Sequence, residues 1–136
     1  MNKQTQNILN ISLTLVAIYL YSFTANNIET EILGFNSFKF LISIAVLIQF
    51  LIFLPSFIFK SEKFYDLTGS LTYISVTSIA YFSLDNPTTT DTILFLYVVI
   101  WAGRLGIFLF RRINKDGKDE RFDKAKKKFF WFLQYW

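Results

Sequence analysis

The chain has 136 residues, of which 53% are hydrophobic and 17 are Phe, with a mean hydropathy of +0.38 and a formal net charge of +4. That is more apolar surface than a soluble domain of this length buries, so lipid is expected to be its solvent. The lack of Cys and His excludes disulfides, thiolate metal sites, Ser-His triads and histidine-ligated redox centres, and no metal site is expected. The excess positive charge gathers near the C-terminus and reads as an orientation signal or an anion-facing loop, not as nucleic-acid binding.

The first apolar run, Ile8 to Phe23, is uncharged and follows a polar start with Lys3. A weakly basic flank, a length beyond that of a signal-peptide core and no small-x-small cleavage pattern make it a retained spanning helix. The sequon Asn10-Ile11-Ser12 falls inside this run and is a chance match. A polar connection, Thr24 to Ser37, carries Glu29 and Glu31 and leads to a second span from Phe38 to Phe59, whose last turn Pro55 should kink or loosen. After Lys60-Ser61-Glu62-Lys63, a third span is expected from Tyr65 to Leu84, stopped by Asp85-Asn86-Pro87. The fourth runs from Thr92 to Phe110 and is expected to end at Arg111-Arg112, before a basic loop over residues 111–128. Phe129 to Trp136 is aromatic but only two turns long, either an interfacial helix or the start of a fifth span. The expected fold is thus all-α, a multi-pass transmembrane helical bundle forming a single membrane domain without internal repeats.

An N-terminus in the cytoplasm puts Lys3, Lys60, Lys63 and the nine basic residues from Arg111 to Lys128 on that side and leaves only Lys39 outside, with Arg104 in the membrane. The one-sided Lys and Arg distribution therefore predicts that orientation. Heavy use of Ile, Phe, Asn and Lys hints at an AT-rich bacterial genome, and so at a bacterial inner membrane.

Ionisable residues within a span are the sharpest functional signal, each costing about 2.5–3.5 kcal/mol at mid-membrane on insertion scales. Asp66 opens the third span, and Ser70, Tyr73, Thr77 and Tyr81 follow it at spacings of four, three, four and four, on one polar helical face. Two roles stand side by side for that face. Asp66 caps the helix while the hydroxyls bind neighbouring helices, or the face carries chemistry. Arg104 shares a face of the fourth span with Tyr97, Trp101, Phe108 and Arg111, two turns from the last of these. It either snorkels toward the headgroups or pairs with Asp66, which lies in the same half of the bilayer. In the segment Arg111 to Lys124, mixed charges around Gly117 suit a solvated loop or a phosphate-facing one, although neither a Walker A loop nor GxGxxG is present.

Glu62-Lys63-Phe64-Tyr65-Asp66-Leu67-Thr68-Gly69-Ser70-Leu71-Thr72-Tyr73, then Trp101-Ala102-Gly103-Arg104-Leu105-Gly106, then Arg111-Arg112-Ile113 with Gly117-Lys118-Asp119-Glu120-Arg121-Phe122-Asp123 resemble the blocks of the DUF1295 membrane proteins. These group with the 3-oxo-5-alpha-steroid 4-dehydrogenase (steroid 5-alpha-reductase) and isoprenylcysteine methyltransferase relatives. The resemblance implies a membrane reductase that passes a hydride from NADPH to an activated carbon–carbon double bond of a sterol-, polyprenyl- or fatty-enone substrate. It makes Arg104, Arg111, Arg112, Lys118 and Arg121 the cofactor-side candidates, and Asp66 and Tyr73 the candidates for the substrate side or for proton donation. Family members continue past the aromatic segment through further helices, so the chain is expected to be the amino-terminal part of a longer protein.

Two alternatives accompany this expectation: a non-enzymatic four-helix scaffold or assembly protein, and a fragment of a related membrane methyltransferase. A small proton-coupled exporter is disfavoured, because Ile8 to Phe23 holds no carboxylate to carry protons. The expected partners are membrane lipids, a lipid-like small molecule, and a helical partner or carboxy-terminal half.

Overall fold

The computed structural model describes residues 3–24, 30–117, 122–123 and 125–136. Five helices follow in chain order among them: α1 (Lys3–Thr24), α2 (Ser37–Ile58), α3 (Tyr65–Phe82), α4 (Thr89–Asp116) and α5 (Phe129–Tyr135). A two-stranded antiparallel hairpin, β1 (Glu31–Ile32) and β2 (Phe35–Asn36), precedes α2, and a 3-10 turn at Ala125–Lys127 precedes α5. The all-α bundle expected from the sequence is the fold observed. Three of the described helices are long and apolar enough to cross a membrane, over Thr5–Phe23, Ser37–Ile58 and Thr89–Asp116. Most of their large apolar side chains are exposed at the bundle surface, as suits lipid-facing helices and not a soluble core.

α3 differs from its neighbours. Its 18 residues rise about 27 Å at 1.5 Å each, and Asp66 with a series of hydroxyls makes it less apolar than α2 and than the membrane-length stretch of α4. It nevertheless runs antiparallel along α4 in a steady register. Asp66 lies opposite Arg112, Ser70 opposite Gly106, Tyr73 opposite Trp101 and Tyr81 opposite Thr92. Asp66, Ser70, Tyr73 and Tyr81 of the polar face read from the sequence therefore meet α4. Gly106 is what allows the approach, since a Cβ there would lie 2.6 Å from both Cβ and Oγ of Ser70.

The helix ends follow local chemistry. Thr88 caps α4 with a full capping box: its hydroxyl accepts from the Asp91 N–H, and the Asp91 carboxylate accepts from the Thr88 N–H. At the other end α4 passes Arg111-Arg112 and stops only at Gly117, whose φ of 80° suits a helix terminus. The expected stop after Phe110 is thus corrected, because loss of apolarity ends a span but not a helix. Past Pro55, α2 closes by a Schellman arrangement in which the Ser61 N–H donates to the Ser56 carbonyl and the Lys60 N–H to that of Phe57. Lys60 takes the left-handed conformation, φ 50°, that glycine usually occupies there.

Two features were not expected. Within the connection read as polar and irregular, Ser37 N–H donates to the Thr30 carbonyl, and the two-residue turn Leu33-Gly34 has φ of 54° and 78°. Positive φ at both positions suits a hairpin of the primed kind, at a cost of about 1–2 kcal/mol for a non-glycine residue such as Leu33. The aromatic tail, in turn, forms the short helix α5, and its burial against the bundle is what the sequence pattern did not indicate. α5 packs back against α1 and α2, with Phe132 fully buried beside Phe53, Phe122 and Ala125. Phe53 alone meets the rings of Phe57, Phe129, Phe132 and Trp136 at 5.3–6.1 Å.

Candidate functional site

α1 stands away from α2 and α3, and the space left is a cavity of about 960 Å³. Asn10 and Thr14 line it from α1, Gln49 and Phe53 from α2, Gly69, Tyr73 and Thr77 from α3, and Trp136 closes one end. The volume matches sites for small organic ligands, and the walls are mainly apolar with a few hydrogen-bonding groups. Among the described residues, the lining contains no aspartate, glutamate, lysine or arginine. Gly69 contributes open room, since a Cβ placed there meets nothing within 4 Å.

The polar groups at the wall are held in order. Gln49 Nε2 donates to Thr72 Oγ1 at 3.0 Å, and that hydroxyl donates to the Thr68 carbonyl at 2.8 Å, tying α2 to α3. Trp136 Nε1 donates to the Gln49 carbonyl at 3.2 Å, which fixes the end of α5 beside the middle of α2. Gln49 lies nine residues before the end of α2, about 13 Å of rise, so this network sits deep in the span. Neither Gln49 nor Asn10 was singled out from the sequence. The available signal was an amide side chain within an otherwise apolar run.

The sequence-derived candidates divide between three places. Tyr73 lines the cavity and also meets Trp101 of α4 edge-on at 5.5 Å, so it lies where the cavity wall touches the neighbouring helix. Asp66 lies outside the cavity lining, two turns from Tyr73, in the first turn of α3. Helix capping is not its role, because the N-cap is Phe64 and carries no side-chain cap bond. Nor does Asp66 pair with Arg104. Its carboxylate faces Arg112 at 3.7 Å, and the expected Asp66–Arg104 pairing is corrected by the register of α3 on α4. Arg104 and Arg111 are exposed on the far side of α4, where the described residues offer them no ion pair. Lys118 and Arg121 lie outside the described residues.

A second polar centre, absent from the sequence expectation, organises the basic end of the bundle. Lys126 Nζ donates to Glu62 Oε2 at 2.7 Å and lies 3.6 Å from Asp123 Oδ1. The Glu62 side chain is only 4% exposed, so the pair is a buried one linking the α2–α3 turn to the segment before α5. Residues 64 positions apart carry no local sequence signal of such a contact.

Taken together, three helices of membrane-spanning length and apolarity, a mainly apolar cavity among the helices and a group of cations at one end define a helical integral membrane protein. The family model described as "Protein of unknown function (DUF1295)" matches residues 52–135. The match covers more than half of the chain, and the chain belongs to this family, consistent with the steroid 5-alpha-reductase-like grouping. Comparisons with curated proteins and with solved structures return no match. The matched stretch takes in the end of α2 from Ile52 and all of α3, α4 and α5, and so the α3 and α5 walls of the cavity with Phe53, while α1, Gln49 and Trp136 lie outside it.

Proposed function

We propose that this DUF1295 protein contributes the substrate chamber of a membrane oxidoreductase that reduces a carbon–carbon double bond of a lipid-like enone with NADPH. The observation that supports it most is the uncharged cavity at membrane depth, whose walls suit an apolar body and whose few hydrogen-bonding groups suit one polar end. The Tyr73 hydroxyl is the group in that lining best suited to donate a hydrogen bond to a conjugated carbonyl, polarising the alkene. Asp66, held by Arg112, is a positioning residue for the start of α3 in this reading.

The chemistry of the donor set fits the phosphates of a dinucleotide: the exposed guanidinium groups of Arg111 and Arg112, with Lys115 one turn on, gather cations at the basic end. When bound, NADPH supplies the hydride. Arg104, Lys118 and Arg121 are the further candidates on the cofactor side. The residues of this chain would hold the phosphates, keep water from the chamber and orient the carbonyl. The Lys and Arg distribution supports a cytoplasmic N-terminus, in a bacterial inner membrane.

The test is binding in lipid nanodiscs. NADPH fluorescence should rise on titration and fall away in R111A/R112A, while a steroid or polyprenyl enone should quench tryptophan emission in the wild type and more weakly in G69L, which projects a side chain into the chamber. If neither NADPH nor any enone binds, the reading fails. A second reading, a non-enzymatic scaffold, is favoured by the exposure of Tyr97, Trp101, Arg104 and Phe108 along one face of α4. It requires that R104K and D66E alter oligomer formation and leave cofactor binding unchanged. The methyltransferase reading would be marked by binding of a sulfonium methyl donor in place of NADPH.

A further inference from the structure

The hairpin ahead of α2 carries an apolar tip in a place where water would select against it. Leu33 is 82% exposed and Phe35 63% exposed, and both lie outside the helices, at and beside the turn of the hairpin. Positive φ at the first turn position favours Asn, Asp or Gly in an aqueous hairpin, so leucine gives up turn preference and gains nothing by projecting into water. The choice makes physical sense when the tip is surrounded by lipid.

The position of the hairpin supplies that lipid. β2 runs directly into Ser37, the first residue of a membrane-length helix, and the Thr30 and Ser37 hydroxyls hydrogen-bond at 2.6 Å to hold the base of the hairpin there. Phe35 stacks on Phe40, one turn into α2, and Phe38 meets Tyr21 from the end of α1 edge-on at 5.3 Å. Tyr19, Tyr21 and Phe23 are exposed along that same end of α1. These rings form a belt of the kind found at membrane–water boundaries, continuous with the lipid-facing surfaces of α1 and α2. Glu31 and Lys39, both exposed, bracket the hairpin and keep it from sinking deeper than the headgroups allow. The other connection on this side of the bundle, between α3 and α4, is of opposite character, with Asp85-Asn86-Pro87 exposed.

We infer that the Leu33-Phe35 tip is an interfacial anchor, inserted into the boundary between headgroups and acyl chains of the leaflet opposite the basic end. It fixes the depth at which α2 enters the bilayer, and with it the depth of the Gln49 network, and it stands independently of the oxidoreductase proposal.

The cysteine-free sequence is a ready background for its test. Nitroxide labels are attached to L33C, F35C and D85C in nanodiscs of phosphatidylcholine and phosphatidylglycerol, and collision with oxygen is compared with collision with a water-soluble nickel chelate. The oxygen-to-nickel ratio is expected to be several-fold higher at L33C and F35C than at D85C. A nickel accessibility at both tip positions equal to that of D85C overturns the anchor, as does protection from both relaxants, which would mean that protein covers the tip. Should L33C fold poorly, F35C in an L33N background carries the same test, because asparagine tolerates the turn conformation.

Discussion

Gly69 and Gly106 sit in neighbouring helices, and the same substitution should have opposite effects at the two positions. In a helix interior, Gly→Ala stabilises by about 1 kcal/mol through backbone entropy alone. At Gly69 the new methyl meets nothing within 4 Å, so G69A should keep all of that gain. At Gly106 the methyl would lie 2.6 Å from Ser70 Cβ and Oγ and 3.7 Å from Leu67 Cδ1. Carbon atoms rest at about 3.5–4.0 Å, so α3 and α4 must part by about 1 Å at their closest approach. Overpacking of this kind costs about 1–3 kcal/mol. G106A should therefore be less stable than G69A by about 1–3 kcal/mol once the shared helix gain cancels. Reversible unfolding in mixed micelles, titrated with a denaturing detergent, measures the difference. S70G should rescue G106A more than additively, since it removes both clashing atoms. If G106A proves as stable as G69A, the close contact between α3 and α4 does not exist as described.

Two further predictions rest on ion pairs of unlike burial. Replacing Glu62 by Gln leaves Lys126 with Asp123 Oδ1 at 3.6 Å, so the cost should fall below the ~3–5 kcal/mol of a fully stranded buried charge; the E62Q/K126Q double variant should recover part of this, and strictly additive unfolding free energies would show that the two do not interact. The Asp66–Arg112 pair is longer, at 3.7 Å, with side chains 21% and 45% exposed, so D66N should lose only about 0–1 kcal/mol. Its double-mutant cycle should show coupling to R112Q and none to R104Q, and coupling to R104Q instead would mean that α3 is shifted by two turns along α4.

The parts of this fold that are legible in the sequence are those decided by local pattern. Continuous apolar runs placed α1, α2 and α4, and the four-three-four-four spacing found the polar face of α3. What that face meets depends on the register of a second helix, which no periodicity encodes. Placing Asp66 and Arg104 in the same half of the bilayer suggests that they pair, while packing at Gly106 sets Arg112 opposite Asp66. The hairpin escaped notice because Leu33 stands where Asn would have announced the turn. Pairing of Glu62 with Lys126, and the burial of Phe132 beside Phe53, join segments far apart in the chain, and only the folded bundle brings them together. The cavity, bounded by four helices, is a property of their arrangement and not of any one of them.

Why a cavity forms between these helices, and not between α3 and α4, follows from what drives association in lipid. Hydrocarbon is as apolar as leucine, so helices gain little from burying leucine against one another; close packing at small residues and polar contacts across the interface must supply the attraction. The α3–α4 pair has both, with Gly106 against Ser70, Tyr81 bonded to Thr92 and Asp66 facing Arg112. α2 joins α3 through Gln49 and Thr72, and joins α5 through the rings around Phe53. α1 meets α2 through Tyr21 and Phe38 near one end and packs on α5. Between those contacts its Thr14 hydroxyl donates to the Asn10 carbonyl of its own helix at 3.0 Å, and among the described residues no bond from it to a neighbouring helix is found. The bundle is therefore tight on one flank of α3 and open on the other, and Tyr73, touching both flanks, is the residue through which a ligand in the chamber can be felt by α4.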